Sequence, residues 1–220
     1  MSTKETIAIL GGTGDLGTGL AIRWSKAGYN IVIGSRTLDK AQAAVEALQA
    51  VSPDTPAQAM ENGDAAAAGD IVVLTVSAAH QISTLDALKD HLKGKILIDV
   101  TVPLVPPKVG TVQLPEEGSA GKRAQDFLGE EVHVVSAFQN IAAHLLQQDV
   151  VIECDVLVAG NSKDSRAKVI EMISEAGMTG WHAGPIANAA AAEALTSILI
   201  QINRGGILSH SGIKIIGQEH

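Results

Sequence analysis

A chain of 220 residues is long enough for one large domain or for a domain with a small appendage, because domains usually have about 100 to 200 residues. Hydrophobic residues make up 46% and charged residues 18%, which predicts a soluble protein with a sizeable core. The net charge of -8 disfavours binding to nucleic acid or anionic lipid, and an aromatic content of 2% leaves few side chains on which bases could stack.

The chain gives no sign of disulfides, secretion or membrane insertion. Its one cysteine, Cys154, allows no intrachain disulfide and no thiolate metal cluster, and this is typical of a reducing compartment. The N-terminal segment lacks the order of a signal peptide. Residues 186–202 form the longest apolar tract, but polar residues interrupt it, so we expect a core or homodimer helix rather than a membrane span. We therefore expect a cytoplasmic protein.

Apolar runs alternate with helical stretches from the start of the chain, as a parallel sheet with crossover helices requires. In chain order, the pattern predicts strands at residues 6–10, 29–34, 57–60, 70–76, 95–100, 132–137, 156–159 and 178–182. It predicts helices at residues 14–27, 38–50, 62–68, 80–92, 161–175 and 187–204. The sequence therefore predicts a doubly wound α/β fold, with a mainly parallel Rossmann-type sheet and a small C-terminal helical portion.

Two stretches depart from the alternation. Residues 101–121 contain four prolines and read as a long irregular loop, and loops of that length are usually functional or disordered. The alternation stops near Pro185. We therefore expect residues 1–185 to form a dinucleotide-binding domain, and residues 186–220, a helix with a glycine-rich tail, to complete a second-substrate site.

Three glycines, Gly12, Gly14 and Gly17, form a G-x-G-x-x-G pattern that is weak by itself. Here the pattern follows a predicted strand and opens a predicted helix. In that context the first glycine makes the tight turn, the second lets the backbone approach a pyrophosphate, and the third lets helix and strand pack closely. The helix N-terminus adds free N–H groups and a partial positive charge. The pattern therefore predicts a dinucleotide site.

The residues that end the second predicted strand indicate which dinucleotide is bound. NAD enzymes place an acidic residue there to accept from the ribose 2′-hydroxyl. This chain has Ser35 and Arg36 instead, and Lys40 follows one helical turn later. Charge-assisted hydrogen bonds of about 1.5 to 3 kcal/mol each would favour the 2′-phosphate of NADP by roughly two orders of magnitude or more. The alternative is that these residues form an ordinary solvated surface.

Residues for acid–base chemistry are scarce. Tyr29 is the single tyrosine, so the Tyr-x-x-x-Lys pair of short-chain dehydrogenases is absent. His80 is the one histidine near the predicted nicotinamide edge, and capping a helix or facing solvent explains it equally well. The histidines lack metal-ligand spacing, so no metal site is predicted. Hydride exchange between two heterocyclic rings needs mainly their placement, so we predict no catalytic side chain.

Six segments carry a resemblance that extends over essentially the whole chain. They are GGTGDLGTGLA (11–21), IVIGSRTLDKA (31–41), DAAAAGDIVVLTV (64–76), VVSAFQNIAA (134–143), HAGPIANA (182–189) and GIKIIG (212–217). With these segments the chain resembles the NADPH-dependent reductases of the deazaflavin coenzyme F-420. Some members of that family carry histidine where this chain has Gln139 and serine where it has Ala189.

The resemblance implies hydride transfer between NADP(H) and coenzyme F-420 as co-substrate. It implies that Thr13, Gly14, Asp15 and Leu16 contact the pyrophosphate and that Ser35, Arg36 and Lys40 hold the 2′-phosphate. It implies that Ala78, Ile82, Leu104 and Ala143 line the nicotinamide half. A shelf for the deazaflavin ring is expected from Phe138, Gln139, Asn140, Ile141, Gly205 and Gly206.

Two further expectations concern the second substrate. The anionic tail of a deazaflavin is repelled by the overall negative charge, so a local basic lane is expected, for which Arg204 and Lys214 are candidates. The alternatives are an NADPH-dependent flavin, ferric or imine reductase of the same fold and a non-catalytic NADPH-binding sensor. Imine reductases that resemble pyrroline-5-carboxylate reductase usually have a longer helical C-terminal domain than residues 186–220 can provide.

Overall fold

A computed structural model describes residues 4–12 and 14–218 as one eight-stranded sheet covered by helices on both faces. The strands are β1 (Thr6–Leu10), β2 (Asn30–Ser35), β3 (Ala57–Glu61), β4 (Ile71–Leu74), β5 (Ile96–Asp99), β6 (His133–Ser136), β7 (Asp155–Gly160) and β8 (Thr179–Gly184). The helices are α1 (Asp15–Lys26), α2 (Leu38–Val51), α3 (Asn62–Ala68), α4 (Gln81–Leu92), α5 (Ala120–Leu128), α6 (Ala143–Leu146), α7 (Lys163–Glu175) and α8 (Ala189–Arg204).

The strand order is β3-β2-β1-β4-β5-β6-β7-β8, and every neighbouring pair is parallel except β6 and β7. This confirms the predicted doubly wound, mainly parallel sheet. The order reverses between β1 and β4, so the connections that follow these two strands run to opposite sides. In open α/β sheets a ligand crevice forms at the carboxyl ends of the strands at such a switch point.

The strands alternate their side chains between two cores. Ile7 and Ile9 of β1 pack with Trp24 of α1 in one cluster, while Ala8 and Leu10 belong to the cluster on the opposite face. Both faces are buried because helices cover them, and for this reason the strands read as continuous apolar runs. The Trp24 indole donates to the carbonyl of Met172 in α7, at 3.0 Å, so its polar atom is also satisfied in the core.

Two helices were missed by the sequence prediction. The irregular stretch expected at residues 101–121 ends earlier, because α5 begins at Ala120, and α6 was not predicted at all. Ser119 caps α5 by accepting from the backbone N–H of Lys122 at 2.9 Å. Gly121 obscured this helix in the sequence, although Ala120, Ala124 and Leu128 share a spacing of four that could have revealed it.

The C-terminal part of the described chain packs against α5 and β7, the strand next to the edge strand β8. Helix α8 contacts α5 and β7, and the tail that follows it returns toward the start of β7. There the Asp155 N–H donates to the Ile213 carbonyl at 2.8 Å, and the Asp155 carboxylate accepts from the Ile215 N–H at 2.7 Å. Within residues 4–12 and 14–218, none of the helices combines the length and apolarity needed to span a bilayer.

Candidate cofactor site

The turn between β1 and α1 depends on glycines that admit no side chain. Gly11 has φ +72°, and a Cβ there would lie 2.7 Å from a methyl carbon of Val76. The left-handed residue is thus Gly11 and not Gly12, which was expected to make the tight turn. Gly12 must be small for another reason, since its Cβ would lie 3.0 Å from the Ile9 side chain. A Cβ on Gly17 would lie 2.7 Å from Cα of Gly12, so helix and turn touch directly.

Gly14 has the opposite environment. It is exposed, and no heavy atom lies within 4 Å of the place that its Cβ would take. As the N-cap of α1 it has no side chain to bind the first N–H groups of the helix. Asp15 is exposed and Leu16 half-buried in the first turn of α1, and Thr13 lies outside the described residues. The helix N-terminus therefore presents open backbone N–H groups to an anion.

The three residues of the predicted 2′-phosphate site line one cavity. Ser35 ends β2 and is buried, whereas Arg36 and Lys40 are exposed, with Lys40 in the first turn of α2. All three line a cavity of about 900 Å³ together with Gly11 and Gly14. Two cations and a helix N-terminus that line one cavity make it locally favourable for an anion, although the chain's net charge is -8.

The cavity is large enough for a dinucleotide half and has apolar walls. Ligand pockets usually occupy about 300 to 1,000 Å³. Two helices supply a large part of the walls, and their lining residues include Ala43, Ala44 and Ala47 of α2 with Ser83, Thr84, Ala87 and Leu88 of α4. The two helices pack on opposite faces of the sheet, so these small side chains line the cavity from both sides of the sheet edge. The carboxyl end of β4 closes the cavity with Thr75, Val76 and Ser77.

Asn62 belongs to this cavity and was not recognised from the sequence. It is the first residue of α3, directly after β3, and it lines the cavity with Ser35 and Arg36. Its Oδ1 atom is buried and has no hydrogen-bond partner among the described residues. A Cβ on Gly34 would lie 3.0 Å from that atom, so Gly34 makes room for the Asn62 amide. An asparagine after an edge strand carries no sequence signal of its own.

His80 lines the same cavity as the cationic pair, with an exposed side chain. The four residues predicted for the nicotinamide half lie outside this cavity. Ala78 begins the 3-10 turn before α4, Ile82 lies in the first turn of α4, Leu104 lies in the 101–119 connection, and Ala143 begins α6. All four are half-buried. Their contact with a nicotinamide stays a prediction.

The side chains expected to form the second ring's shelf point into the protein. Phe138 is buried against Trp24, with their ring centroids 5.8 Å apart. The Gln139 amide donates to the Asp99 carbonyl at 2.9 Å, and the Asn140 amide donates to the Asp155 carbonyl at 3.0 Å. Ile141 is also buried. Any contact from residues 138–140 to a second ring would therefore come from their backbone, and the shelf itself stays a prediction.

Gly205 and Gly206, the other shelf candidates, lie at the C-terminal end of α8 and are exposed. Gly206 has φ +75°, and its missing Cβ would meet no atom within 4 Å. Arg204 and Lys214, the candidates for a basic lane, are exposed as well. Gly205, Gly206 and Arg204 are accessible at the end of α8, whereas Lys214 lies in the tail between the two residues that bind Asp155 at the start of β7.

A buried polar network lies where β5 ends and was not foreseen. The Gln81 amide donates to the Asp99 carboxylate at 2.5 Å, and the Arg123 guanidinium donates to the Gln81 carbonyl oxygen at 2.7 and 2.9 Å. Arg123 also donates to the carbonyl of Ala78 at 3.2 Å. Burial raises the pKa of Asp99, although hydrogen bonds from Thr101 and Gln81 oppose that shift. The network joins β5, α4 and α5 beside the predicted nicotinamide half.

A second buried acid lies close to this network. Glu193 of α8 accepts from the backbone N–H groups of Ala120 and Gly121 at 2.7 and 3.0 Å. Burial raises the pKa of Glu193 to about 7, against the opposing effect of these two hydrogen bonds. Glu193 interrupts the apolar tract of residues 186–202. Because acidic residues are seldom fully buried without a partner, this interruption could have predicted a hydrogen-bond partner for Glu193.

Other reactive groups have structural surroundings. Burial raises the pKa of the half-buried Cys154 thiol, whose sulfur accepts from the Ile213 N–H at 3.3 Å. The rings of His144 and His210 are in contact, with centroids 3.8 Å apart and planes tilted by 54°. Throughout residues 4–12 and 14–218, no three His, Cys, Asp or Glu side chains are grouped so that they could hold a metal ion.

Known proteins resemble this chain in sequence and fold. Residues 6–103 match the family described as NADP oxidoreductase, coenzyme F420-dependent. The F420-dependent NADP reductase of Methanothermobacter thermautotrophicus is 38% identical over 95% of this chain and 94% of its own length. That of Methanocaldococcus jannaschii is 36% identical over 97% of this chain and 99% of its own length.

Among solved structures, the hypothetical protein SMa0349 from Sinorhizobium meliloti superposes with a TM-score of 0.70 at 21% identity. The superposition covers 86% of this chain and 89% of that one, and it supports the fold alone. The two archaeal relatives match nearly from end to end at more than one residue in three. The chain therefore belongs to the family of F420-dependent NADP reductases.

Proposed function

We propose that this protein transfers a hydride between NADP(H) and the deazaflavin coenzyme F-420. The observation that carries the NADP half is the convergence of Ser35, Arg36 and Lys40 with the Gly11–Gly14 turn in one cavity. The names of the archaeal relatives supply the second carrier. The reaction runs in either direction according to the ratio of the oxidised and reduced carriers.

The described residues fit an NADP molecule at each of its charged groups. The space above Gly14 and the open N-terminus of α1 accept the pyrophosphate, which needs close backbone approach and N–H donors. Arg36 and Lys40 bind the 2′-phosphate, with the Ser35 hydroxyl as a further donor. The apolar walls of α2 and α4 hold the adenine, and the Asn62 amide offers it a polar contact.

Placement accounts for catalysis without an acid or base from the chain. When bound, the nicotinamide supplies or accepts the hydride. Holding the two reacting carbons about 3 to 3.5 Å apart converts a bimolecular reaction into an effectively unimolecular one. The chain's task is to bind both rings, orient them and exclude water between them. The half-buried residues Ala78, Ile82, Leu104 and Ala143 are assigned to the nicotinamide side of this arrangement.

The second ring is assigned to the far side of the nicotinamide, between the β6–α6 connection and the end of α8. Residues 138–141 contribute backbone, because their side chains are buried, and Gly205 and Gly206 contribute an open surface. Arg204 and Lys214 attract the anionic tail. In this assignment residues 1–185 bind NADP, and residues 186–220 complete the second-substrate site.

The protein is assigned as a homodimer that pairs through the outer face of α8. Ile198 and Ile202 are exposed on that helix, and Ile207 and Leu208 are exposed in the tail that follows. Large apolar side chains exposed close together in sequence favour a protein interface. Sedimentation equilibrium checks the assignment, which a monomer at micromolar concentration would exclude.

The proposed location is the cytoplasm, and the proposed partners are small molecules without nucleic acid or membrane. Cys154 has no second cysteine with which to form a disulfide, which suits a reducing compartment. The net charge of -8 opposes nucleic acid and anionic lipid alike. Fractionation of the host cell would check the location.

One assay separates the proposed activity from its alternatives. Purified protein is mixed with NADPH and oxidised coenzyme F-420, and the visible band of the deazaflavin is followed. The expected result is bleaching that requires both the protein and NADPH. Tight NADPH binding without bleaching indicates a non-catalytic sensor. Turnover of free flavin, ferric iron or a cyclic imine in place of the deazaflavin indicates one of the other reductases.

A further inference from the structure

Glu193 is a buried carboxylate that the proposed hydride transfer does not use. It lies in the first half of α8 and is 1% exposed. Its two oxygens accept from the first two N–H groups of α5, those of Ala120 and Gly121. The third N–H, that of Lys122, binds the Ser119 hydroxyl. The side chain thus caps a helix distant in sequence and joins α8 to α5.

Burying a carboxylate costs desolvation free energy, so an apolar contact between α5 and α8 would hold the two helices together at a lower cost in free energy. Asp99 from β5 and Arg123 from α5 are the charged groups that act on Glu193, and they have opposite effects on its ionisation. What the carboxylate adds over an apolar contact is direction, because two hydrogen bonds fix where the start of α5 lies against α8. This restriction points to a need for exact placement of α8.

Helix α8 is fixed at a second point that faces the proposed shelf. Thr196, one turn after Glu193, donates its hydroxyl to the Gln139 carbonyl at 2.8 Å. Gln139 in turn donates its side chain to the Asp99 carbonyl, so the shelf segment is held between α8 and β5. At its far end α8 terminates at Gly205, and a Cβ on Gly110 would lie 2.8 Å from the Gln201 side-chain oxygen. The 101–119 connection therefore packs directly on α8.

We propose that Glu193 is a positioning residue for the second carrier, because its carboxylate fixes α8 against α5 and so holds the Gln139 backbone and the Gly205–Gly206 end of α8 at the shelf. The inference rests on the proposed function, since it assumes that the second ring binds at this shelf. Glu193 touches neither ring. None of its hydrogen-bond partners lines the cavity that contains Arg36 and Lys40, so the contacts proposed for the adenosine half of NADP do not depend on it.

The test compares two Glu193 variants with a cap on another helix. Glu193→Ala removes both acceptors, and Glu193→Gln keeps one oxygen acceptor in a side chain of the same length. Ser162→Ala is the matched control, because Ser162 caps α7 by accepting from the Ser165 N–H at 3.1 Å. Equilibrium dialysis measures the Kd of coenzyme F-420 and of NADPH, steady-state kinetics give KM and kcat, and melting temperatures are recorded for each variant.

In Glu193→Ala, the Kd and KM for F-420 are expected to rise at least tenfold while the Kd for NADPH stays within twofold. Glu193→Gln is expected to lie between this variant and wild type. Ser162→Ala should lower the melting temperature but leave both Kd values within twofold. If Glu193→Ala does not fold, a rise in the F-420 Kd of Glu193→Gln alone supports the inference.

Two results would overturn the inference. One is an unchanged F-420 Kd in the folded Glu193 variants, and the other is equal weakening of both carriers in step with melting temperature. Either result leaves the proposed function intact if the wild type bleaches the deazaflavin. If the wild type binds NADPH but not F-420, the proposed function fails and the positioning role fails with it.

Discussion

The two ends of the proposed site are built in opposite ways. Around Gly14, Arg36 and Lys40 the molecule presents open space, exposed cations and free N–H groups, all supplied by short segments after β1 and β2. Around Glu193 and Asp99 the side chains are buried, and their hydrogen bonds link β5 to α4 and α8 to α5. In the proposed site, the cations and the helix N-terminus at the first end contact charged groups of the ligand directly. At the second end the polar groups hold helices and a strand in fixed positions. Contact with a ligand there depends on those positions.

The largest expected effect comes from closing the contact between the turn and α1. Gly17→Ala places a Cβ 2.7 Å from Cα of Gly12, and such overpacking typically costs about 1 to 3 kcal/mol of stability. Displacing two phosphate hydrogen bonds of about 1.5 to 3 kcal/mol each lowers NADPH affinity by at least about 100-fold. Calorimetry and NADPH titration measure the two effects.

Gly14→Ala is the matched comparison, because its Cβ meets no protein atom within 4 Å. Its melting temperature should stay near that of the wild type while NADPH binding weakens by roughly tenfold, as one phosphate contact is lost. Normal NADPH affinity in Gly17→Ala would show that the tight turn is not needed for binding.

The buried end should make stability depend on pH. Burial raises the pKa of Glu193 from 4.5 to about 7, so the folded protein binds more protons than the unfolded chain between these values. Stability should therefore fall as pH rises from about 4.5 to 7, by up to about 3 kcal/mol. Urea unfolding at pH 5, 6, 7 and 8 measures this change.

Glu193→Gln should flatten that dependence, because the amide does not titrate. The pKa of Asp99 is also raised, so it adds a slope of the same sign in both proteins, and the difference between them reports Glu193. Identical pH dependence in the wild type and the variant would mean that Glu193 stays ionised throughout the range.

The open end should discriminate between the two nicotinamide carriers. Arg36→Ala is expected to weaken NADPH by about 10- to 150-fold, from the loss of about 1.5 to 3 kcal/mol, and to leave NADH nearly unchanged. Lys93→Ala is the control, because Lys93 is an exposed cation paired with Asp90 at 3.0 Å. Equal weakening of NADPH and NADH would remove Arg36 from the 2′-phosphate site.

The smallest effect is expected at Asn62. Asn62→Ala should weaken NADPH by roughly two- to tenfold, which corresponds to one neutral hydrogen bond of about 0.5 to 1.5 kcal/mol. Asn30→Ala is the control. Asn30 begins β2, at the end away from Ser35 and the cavity, and it donates to the Lys4 carbonyl at 3.0 Å. Titration with NADPH and with adenosine 2′-phosphate should give the same ratio, because the contact is assigned to the adenosine half.

The difference between the two ends of the proposed site explains which of its features could be predicted from the sequence. Local patterns predicted the mainly parallel sheet, the glycine-rich turn after β1 and the proximity of Ser35, Arg36 and Lys40, because each depends on neighbours within a few residues or on the general rule for parallel strands. The resemblance extended this to the family, which the archaeal relatives confirm.

Tertiary structure alone decided the rest. Nothing in the spacing of Gln81, Asp99, Arg123 and Glu193 predicts that Gln81 binds Asp99 and Arg123 or that Glu193 binds the start of α5. Each residue belongs to a different element, and hydrogen bonds across elements leave no periodic trace. The burial of the Phe138 and Gln139 side chains could not be predicted for the same reason. Sequence determines which residues a strand or turn presents, whereas the packing of helices on the sheet determines which of them become buried partners and which remain free for a ligand.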